Sequence, residues 1–232
     1  MWGVRYRYLV TPSYASVLEA AGVQDAASLH SWSAEGDCVS QSSTSETRRQ
    51  ALGNLLVYVK RRFYEPASWR YLARASRGSC EWANNKSLRQ LGIRCPELVC
   101  LGEKRRVGRL CWSTLVTREV PDSRNLLECF QDPAFRHGQE KRREVLSELA
   151  ASLRLLHRRD FVLHDARLRN VLHQEDGEAG CRLYFIDCPR GGYRRFLVRR
   201  AVRRDLSRLR EDLTENCGEE AWEVFREAYS EA

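Results

Sequence analysis

The sequence predicts an α+β protein of two lobes, and three observations predict it. Before Pro121 the strongest patterns are short runs rich in β-branched and aromatic residues, as in LLVYVKRRF (55–63) and RLCWSTLVTREV (109–120). After Pro121, apolar residues recur every three or four positions, as in KRREVLSELAASLRLLH (141–157). A chain of 232 residues is long enough for one substantial domain or for two small lobes sharing a cleft, and ligands favour such clefts. We therefore expect one bilobal domain. Its N-terminal lobe, 1–120, holds a short first helix, an antiparallel sheet and one helix packed on that sheet; its C-terminal lobe, 121–232, is small and mainly helical.

In chain order, ASVLEAAGVQDAASL (15–29) has the pattern of a short amphipathic helix with a turn at Gly22. DCVSQSSTSETRRQ (37–50) reads as weak strands with a flexible loop. LLVYVKRRF follows a Gly53-Asn54 turn signal and is a strand that carries Lys60. RASRGSCEWANNKSLRQL (74–91) reads as a helix stopped by Gly92. PELVCLGE (96–103) and the 109–120 run are strands, so the first half reads strand, helix, strand, strand. In the second half Val145, Leu149, Leu153 and Leu156 line one face of a core helix. The polar loop within FVLHDARLRNVL (161–172) follows, then GCRLYFIDC (180–188), a strand ending in Asp187. Val198, Val202, Leu206, Leu209 and Leu213 form another helical stripe, and EEAWEVFREAY (219–229) a last helix.

Composition narrows the classes. With 43% hydrophobic and 30% charged residues, extended disorder is excluded. No apolar run approaches the roughly 20 residues that span a bilayer. MWGVRYRYLV is too polar and short for a secretory leader, so a cytoplasmic protein is expected. Nine cysteines are scattered without a C-x-x-C pair, against both a disulfide framework and a zinc knuckle and in favour of reduced, mostly buried thiols. The net charge of +8 points to an anionic partner: a nucleotide, a phosphorylated substrate, nucleic acid or acidic lipid. Arginine clusters such as 199–204 carry much of it, although each reads equally as a solvated helix face.

The loop HDARLRN (164–170) sets Asp165 five residues before Asn170. Alone, Asp165 reads as well as a turn carboxylate accepting backbone hydrogen bonds. Phosphoryl transfer, however, needs a carboxylate to take or orient the proton of the attacking hydroxyl and a divalent metal on the phosphates. Asp165 suits the first task; Asn170 and the strand-end Asp187 offer oxygen ligands of the kind Mg²⁺ takes. The same chemistry needs a cation on the nucleotide phosphates, held by a counter-charge. Lys60 on its strand and Glu81 on the following helix are placed to supply both. Singly, each reads as an ordinary surface residue; in this order they form a set.

These segments carry a resemblance. Over about residues 35–215 the chain resembles the protein-kinase-like fold, and within it the small bacterial lipopolysaccharide core kinases, the Kdo and heptose kinase family. The likeness rests on LLVYVKRRF, EWANNKSLRQLGIRCPELVCLGE, LVTREVP, HDARLRN, YFIDCPRGG and RRDLSRL. It implies an ATP- and Mg²⁺-dependent kinase acting on a sugar hydroxyl, with a lipid-linked glycan or other anionic small substrate as partner and a peripheral contact with acidic membrane at the inner face of the inner membrane. It further implies that Lys60 contacts the ATP phosphates and Glu81 holds Lys60. Asp165 becomes the base, with Asn170 and Asp187 on Mg²⁺. Backbone groups of Arg118 and Val120 face adenine, and Arg167 steadies the transferring phosphate. Asp205 in RRDLSRL is either a buried acid bracing the loop or a polar residue beside a helix start.

Three features depart from the kinase pattern. No G-x-G-x-x-G lies between residues 32 and 56, where Gly36 and the serine run stand instead; serine-flanked amides are what remains to approach phosphate. Asp187 is followed by Cys188 and Pro189, which argues against a protein-kinase activation switch. The C-terminal lobe is short for a protein substrate. An atypical protein or small-molecule kinase, a catalytically inert kinase-like binding module, and a nucleic-acid binder are the alternatives.

Overall fold

In the computed structural model, residues 3–64, 71–72, 74–176 and 180–231 are described. They divide into two units, Met1–Ala83 with Pro96–Glu119 and Asn84–Cys95 with Val120–Ala232.

The first unit is built on a six-stranded antiparallel sheet of β1 (Val4–Val10), β2 (Asp37–Gln41), β3 (Ser45–Leu52), β4 (Leu55–Phe63), β5 (Leu98–Arg106) and β6 (Arg109–Arg118), in the order β1-β5-β6-β4-β3-β2. Strand β1 falls in the run read only for its lack of a leader signal. It is an edge strand whose first four residues are exposed, and its signal in the sequence is the alternation of Val4, Tyr6 and Tyr8 with Arg5 and Arg7. The 15–29 run forms two short helices, α1 (Ala15–Ala20) and α2 (Ala26–Trp32), separated by the turn at Gly22. Asp25 caps α2 by accepting from Ser28 N at 2.7 Å.

Successive side chains on a strand point to opposite faces. Val57 and Val59 of β4 join Leu18, Leu29 and Val116 in one buried cluster under α1 and α2. Leu101 and Leu115 join Trp82 of α3 (Arg77–Gln90) on the other face. Helices thus cover both faces of the sheet. The alternation that buries Val57 and Val59 sends Lys60 and Arg62 to the α3 side.

The second unit is mainly helical, with α4 (Leu126–Gln131), α5 (Pro133–His137), α6 (Gln139–Arg158), α7 (Val198–Cys217) and α8 (Glu219–Glu231). It also has a three-stranded sheet ordered β10 (Gly180–Phe185), β9 (Val171–Asp176), β7 (Ser123–Asn125) and a two-stranded ribbon of β8 (Phe161–Val162) and β11 (Gly192–Tyr193). Its core gathers Leu88 of α3, Leu146, Leu149 and Leu153 of α6, Leu209 and Leu213 of α7 and Phe225 of α8. Six of the nine cysteines are buried.

Candidate active site

Lys60 and Glu81, 21 residues apart, meet in the first unit with Nζ 2.8 Å from Oε1. The other Glu81 oxygen accepts from Arg62 Nη2 at 3.1 Å. Arg62 is two residues from Lys60 on the same strand face, and so follows from the strand period. Glu81 is buried, and both its oxygens bind cations, which fixes the carboxylate against rotation.

Arg118 ends β6. Its N–H donates to Glu97 O at 2.8 Å, so its carbonyl is the backbone group it has to offer a ligand. Val120 is buried and belongs to the second unit; its carbonyl accepts from Ser123 Oγ at 2.8 Å. The serine run forms the tight β2–β3 turn. Ser42 Oγ accepts from the amides of Thr44 and Ser45 at 3.4 and 3.1 Å, so these amides are turned inward rather than toward a phosphate. Gly36 has a fold role: it sits at φ +84°, and a Cβ there would lie 2.6 Å from Arg49 O.

In the second unit the loop after β8 holds Asp165, Arg167 and Asn170 together. Asn170 lies in a 3₁₀ turn, Leu168–Asn170, and its Nδ2 donates to Asp165 O at 2.9 Å and approaches Oδ2 at 3.4 Å. That leaves Asn170 Oδ1 as the atom available to a cation. Asn170 O accepts from Ile186 N at 2.9 Å, which tethers Asp187 one residue beyond. Asp187 stands at φ +53°, a left-handed position that turns the chain sharply after β10. Among the described residues no group of three His, Cys, Asp or Glu forms a cage. One carboxylate and one amide oxygen nonetheless fit Mg²⁺, which keeps waters and takes its remaining ligands from phosphates. Arg167 turns back on Asp165, with Nε 3.2 Å from Oδ1, and Arg208 Nη1 lies 3.9 Å from the same oxygen.

Sequence reading left Asp205 open. It is fully buried and accepts from Leu163 N at 2.7 Å, so it braces the loop. Two residues that reading missed complete the brace: Arg208 donates to His164 O, and Asp212 accepts from Leu168 N at 2.6 Å. Residues 205, 208 and 212 fall on one face of α7. The visible signal for Asp205 was its place four residues before Leu209, within the buried stripe. Behind Asp205, His157 Nε2 lies 3.6 Å from Oδ2 while its Nδ1 meets Tyr229 OH at 2.8 Å. His164, beside Asp165, is at φ +63°. Burial, then the Arg194 guanidinium that contacts its Nε2, hold its pKa below the ordinary histidine value.

Asn84 was also missed. From the second half of α3 its Nδ2 donates to Cys188 O at 2.7 Å and Gly191 O at 2.9 Å, clamping the segment that follows Asp187. Only a contact between segments 104 residues apart reveals that role.

A solved structure described as "WaaP in complex with acyl carrier protein" shares this fold with a TM-score of 0.70, at 18% identity over 97% of this chain and 89% of that one. At that identity the likeness is one of fold, and it defines the class: a protein-kinase-like α+β architecture. The model of the lipopolysaccharide kinase (Kdo/WaaP) family matches residues 30–229, and the chain belongs to that family. It is accordingly an ATP-dependent sugar phosphotransferase that acts on lipopolysaccharide core sugars. A search of curated protein sequences finds no match. No helix among the described residues is long and apolar enough to cross a membrane.

Proposed function

We propose that the chain transfers the γ-phosphoryl group of ATP to a hydroxyl of a Kdo or heptose residue of the lipid-linked inner core, with Asp165 as the base. One observation carries this assignment. The Asp165 carboxylate, about a third exposed, stands on a loop whose backbone is fixed at Leu163, His164 and Leu168 by three side chains of α7. A group so placed can accept the proton of a bound hydroxyl without first reorganising its loop.

Lys60, aligned by Glu81, pairs with the nucleotide phosphates. The Arg118 carbonyl and the Val120 N–H face adenine. Asn170 Oδ1 and Asp187 hold Mg²⁺, which supplies charge neutralisation on the phosphates when bound. Arg167 turns from Asp165 to the transferring phosphate. Because the serine turn directs two of its amides inward, this reading assigns the phosphates chiefly to Lys60 and the metal. A lipid-linked acceptor puts the enzyme at the inner face of the inner membrane as a peripheral protein.

The test is mass spectrometry of core glycan incubated with ATP and the protein. Wild type adds a phosphate, and Asp165→Ala lowers turnover about 10²- to 10⁴-fold while its melting temperature and ATP binding persist. Undiminished turnover in that variant refutes the assignment.

A further inference from the structure

Residues 190–204, RGGYRRFLVRRAVRR, contain seven arginines and no acid, against a net charge of +8 for the whole chain. The mechanism uses none of Arg195, Arg199, Arg200, Arg203 and Arg204. All five are exposed, and none has a carboxylate partner among the described residues. In their midst Phe196 is 83% and Leu197 74% exposed, the two most exposed large apolar side chains described.

Both features run against what a helix start favours. The N-terminus of α7 is the positive end of its dipole, where acids are preferred, yet its first turn has no acid and two arginines. Its N-cap is Leu197, at φ +56° with no side-chain cap, where Ser, Thr, Asp or Asn would satisfy an amide. A branched apolar residue in a left-handed conformation, turned into water, contributes nothing to the folded chain on its own.

Geometry gives the cluster one direction. Arg199 and Arg203, and likewise Arg200 and Arg204, are four residues apart, so their side chains occupy adjacent rows on one face of the first two turns. Asp205, Leu209 and Asp212 lie on the opposite face, against the Asp165 loop and the core.

We propose that segment 193–204 docks the enzyme on an anionic bilayer. Phe196 and Leu197 enter the interface, and the guanidiniums of Arg195, Arg199, Arg200, Arg203 and Arg204 bind lipid phosphates. Charge complementarity selects this occupant: arginine forks match phosphate, and an apolar tip ringed by cations matches a headgroup layer over acyl chains. An acidic protein would have to present an apolar patch beside its carboxylates to cover both side chains, whereas an anionic bilayer supplies the two together. The inference rests on the reading of the acceptor as lipid-linked, and it gives α7 a second task. The helix that braces the Asp165 loop from one face holds the membrane with the other.

The test is co-sedimentation of the full chain with vesicles of phosphatidylglycerol and phosphatidylethanolamine, against vesicles of phosphatidylcholine alone. Neither ATP nor acceptor is present, so its failure is separate from a failure of sugar phosphorylation. Wild type should bind the anionic vesicles only, and less at high salt. The double variant Phe196→Ser/Leu197→Ser should bind at least about tenfold more weakly. Arg199→Gln/Arg203→Gln should lose about fivefold per arginine. All three proteins should keep their melting temperature within a few degrees, since the altered side chains are exposed. Wild type that stays in the supernatant, variants that bind as wild type does, or capture of the segment by a soluble acidic protein without vesicle binding would each overturn the proposal.

Discussion

Asp205 gives the sharpest test of how the loop is held. Its Oδ2 is the acceptor for Leu163 N at 2.7 Å, and both groups are buried. Asp205→Ala leaves that N–H without a partner, at a cost of about 1–3 kcal/mol for the orphaned donor. Asp205→Asn retains an acceptor of the same shape and loses only the charge assistance, about 1 kcal/mol. Unfolding entropy of about 2 cal/mol/K per residue makes each kcal/mol worth roughly 2 °C in a chain of this length. The alanine variant should therefore melt about 2–6 °C lower and the asparagine variant about 2 °C lower. Turnover should separate them further, because a loop displaced by about 1 Å costs on the order of 10²-fold in rate. Calorimetry paired with core-glycan phosphorylation reads both quantities. If Asp205→Ala melts with wild type, or if asparagine is the more damaging substitution, the acid does not brace the loop through that bond.

Asn84→Ala removes two hydrogen bonds to the 188–191 segment and should lower stability by about 1–2 kcal/mol in a urea titration. Turnover should fall more than the Michaelis constant for ATP rises, because a group acting on Asp187 is displaced while Lys60 is untouched. His30, stacked on Trp112 at 4.1 Å, is pushed by burial, then by Arg61 and Lys104, from its ordinary 6.5 down to about 4. The unfolded chain binds the extra proton between these values, so stability is complete above about pH 6.5 and declines towards pH 4. His30→Gln should flatten that part of a melting-temperature profile. Arg199→Glu replaces a cation with an anion in the first turn of α7 and should raise stability by about 0.3–1 kcal/mol. A loss of stability there would show that Arg199 serves the fold itself.

Much of this arrangement was legible because it follows from local periods. The two-residue strand period that buries Val57 and Val59 puts Lys60 on the α3 face, and helical spacing in α6 and α7 identifies the core leucines. What escaped was of two kinds. Strand β1 does alternate, Val4, Tyr6 and Tyr8 against Arg5 and Arg7, but that run was read only for a leader signal, and the short polar β7 has no alternation to read. Asn84, Arg208 and Asp212 act through backbone groups of segments 44 or more residues away, and a carbonyl or amide has no letter in the sequence. Arg208 illustrates the difficulty: among so many arginines, nothing local separates the one that holds His164 O from its solvated neighbours.

The tethers around Asp187 bear on the departure from the kinase pattern at Cys188 and Pro189. Ile186 N is bonded to Asn170 O on one side of Asp187, and Asn84 holds the carbonyls of Cys188 and Gly191 on the other. Gly191 packs so closely that a Cβ would lie 3.2 Å from Val162 O, and Gly192 and Tyr193 then pair with Val162 and Phe161. A segment bonded at 186, 188, 191 and 192 within a few residues has little freedom to swing. Moving Asp187 would break several hydrogen bonds together, each worth about 1 kcal/mol. The second unit thus holds Asp187 in one arrangement by short-range bonding on both sides of it.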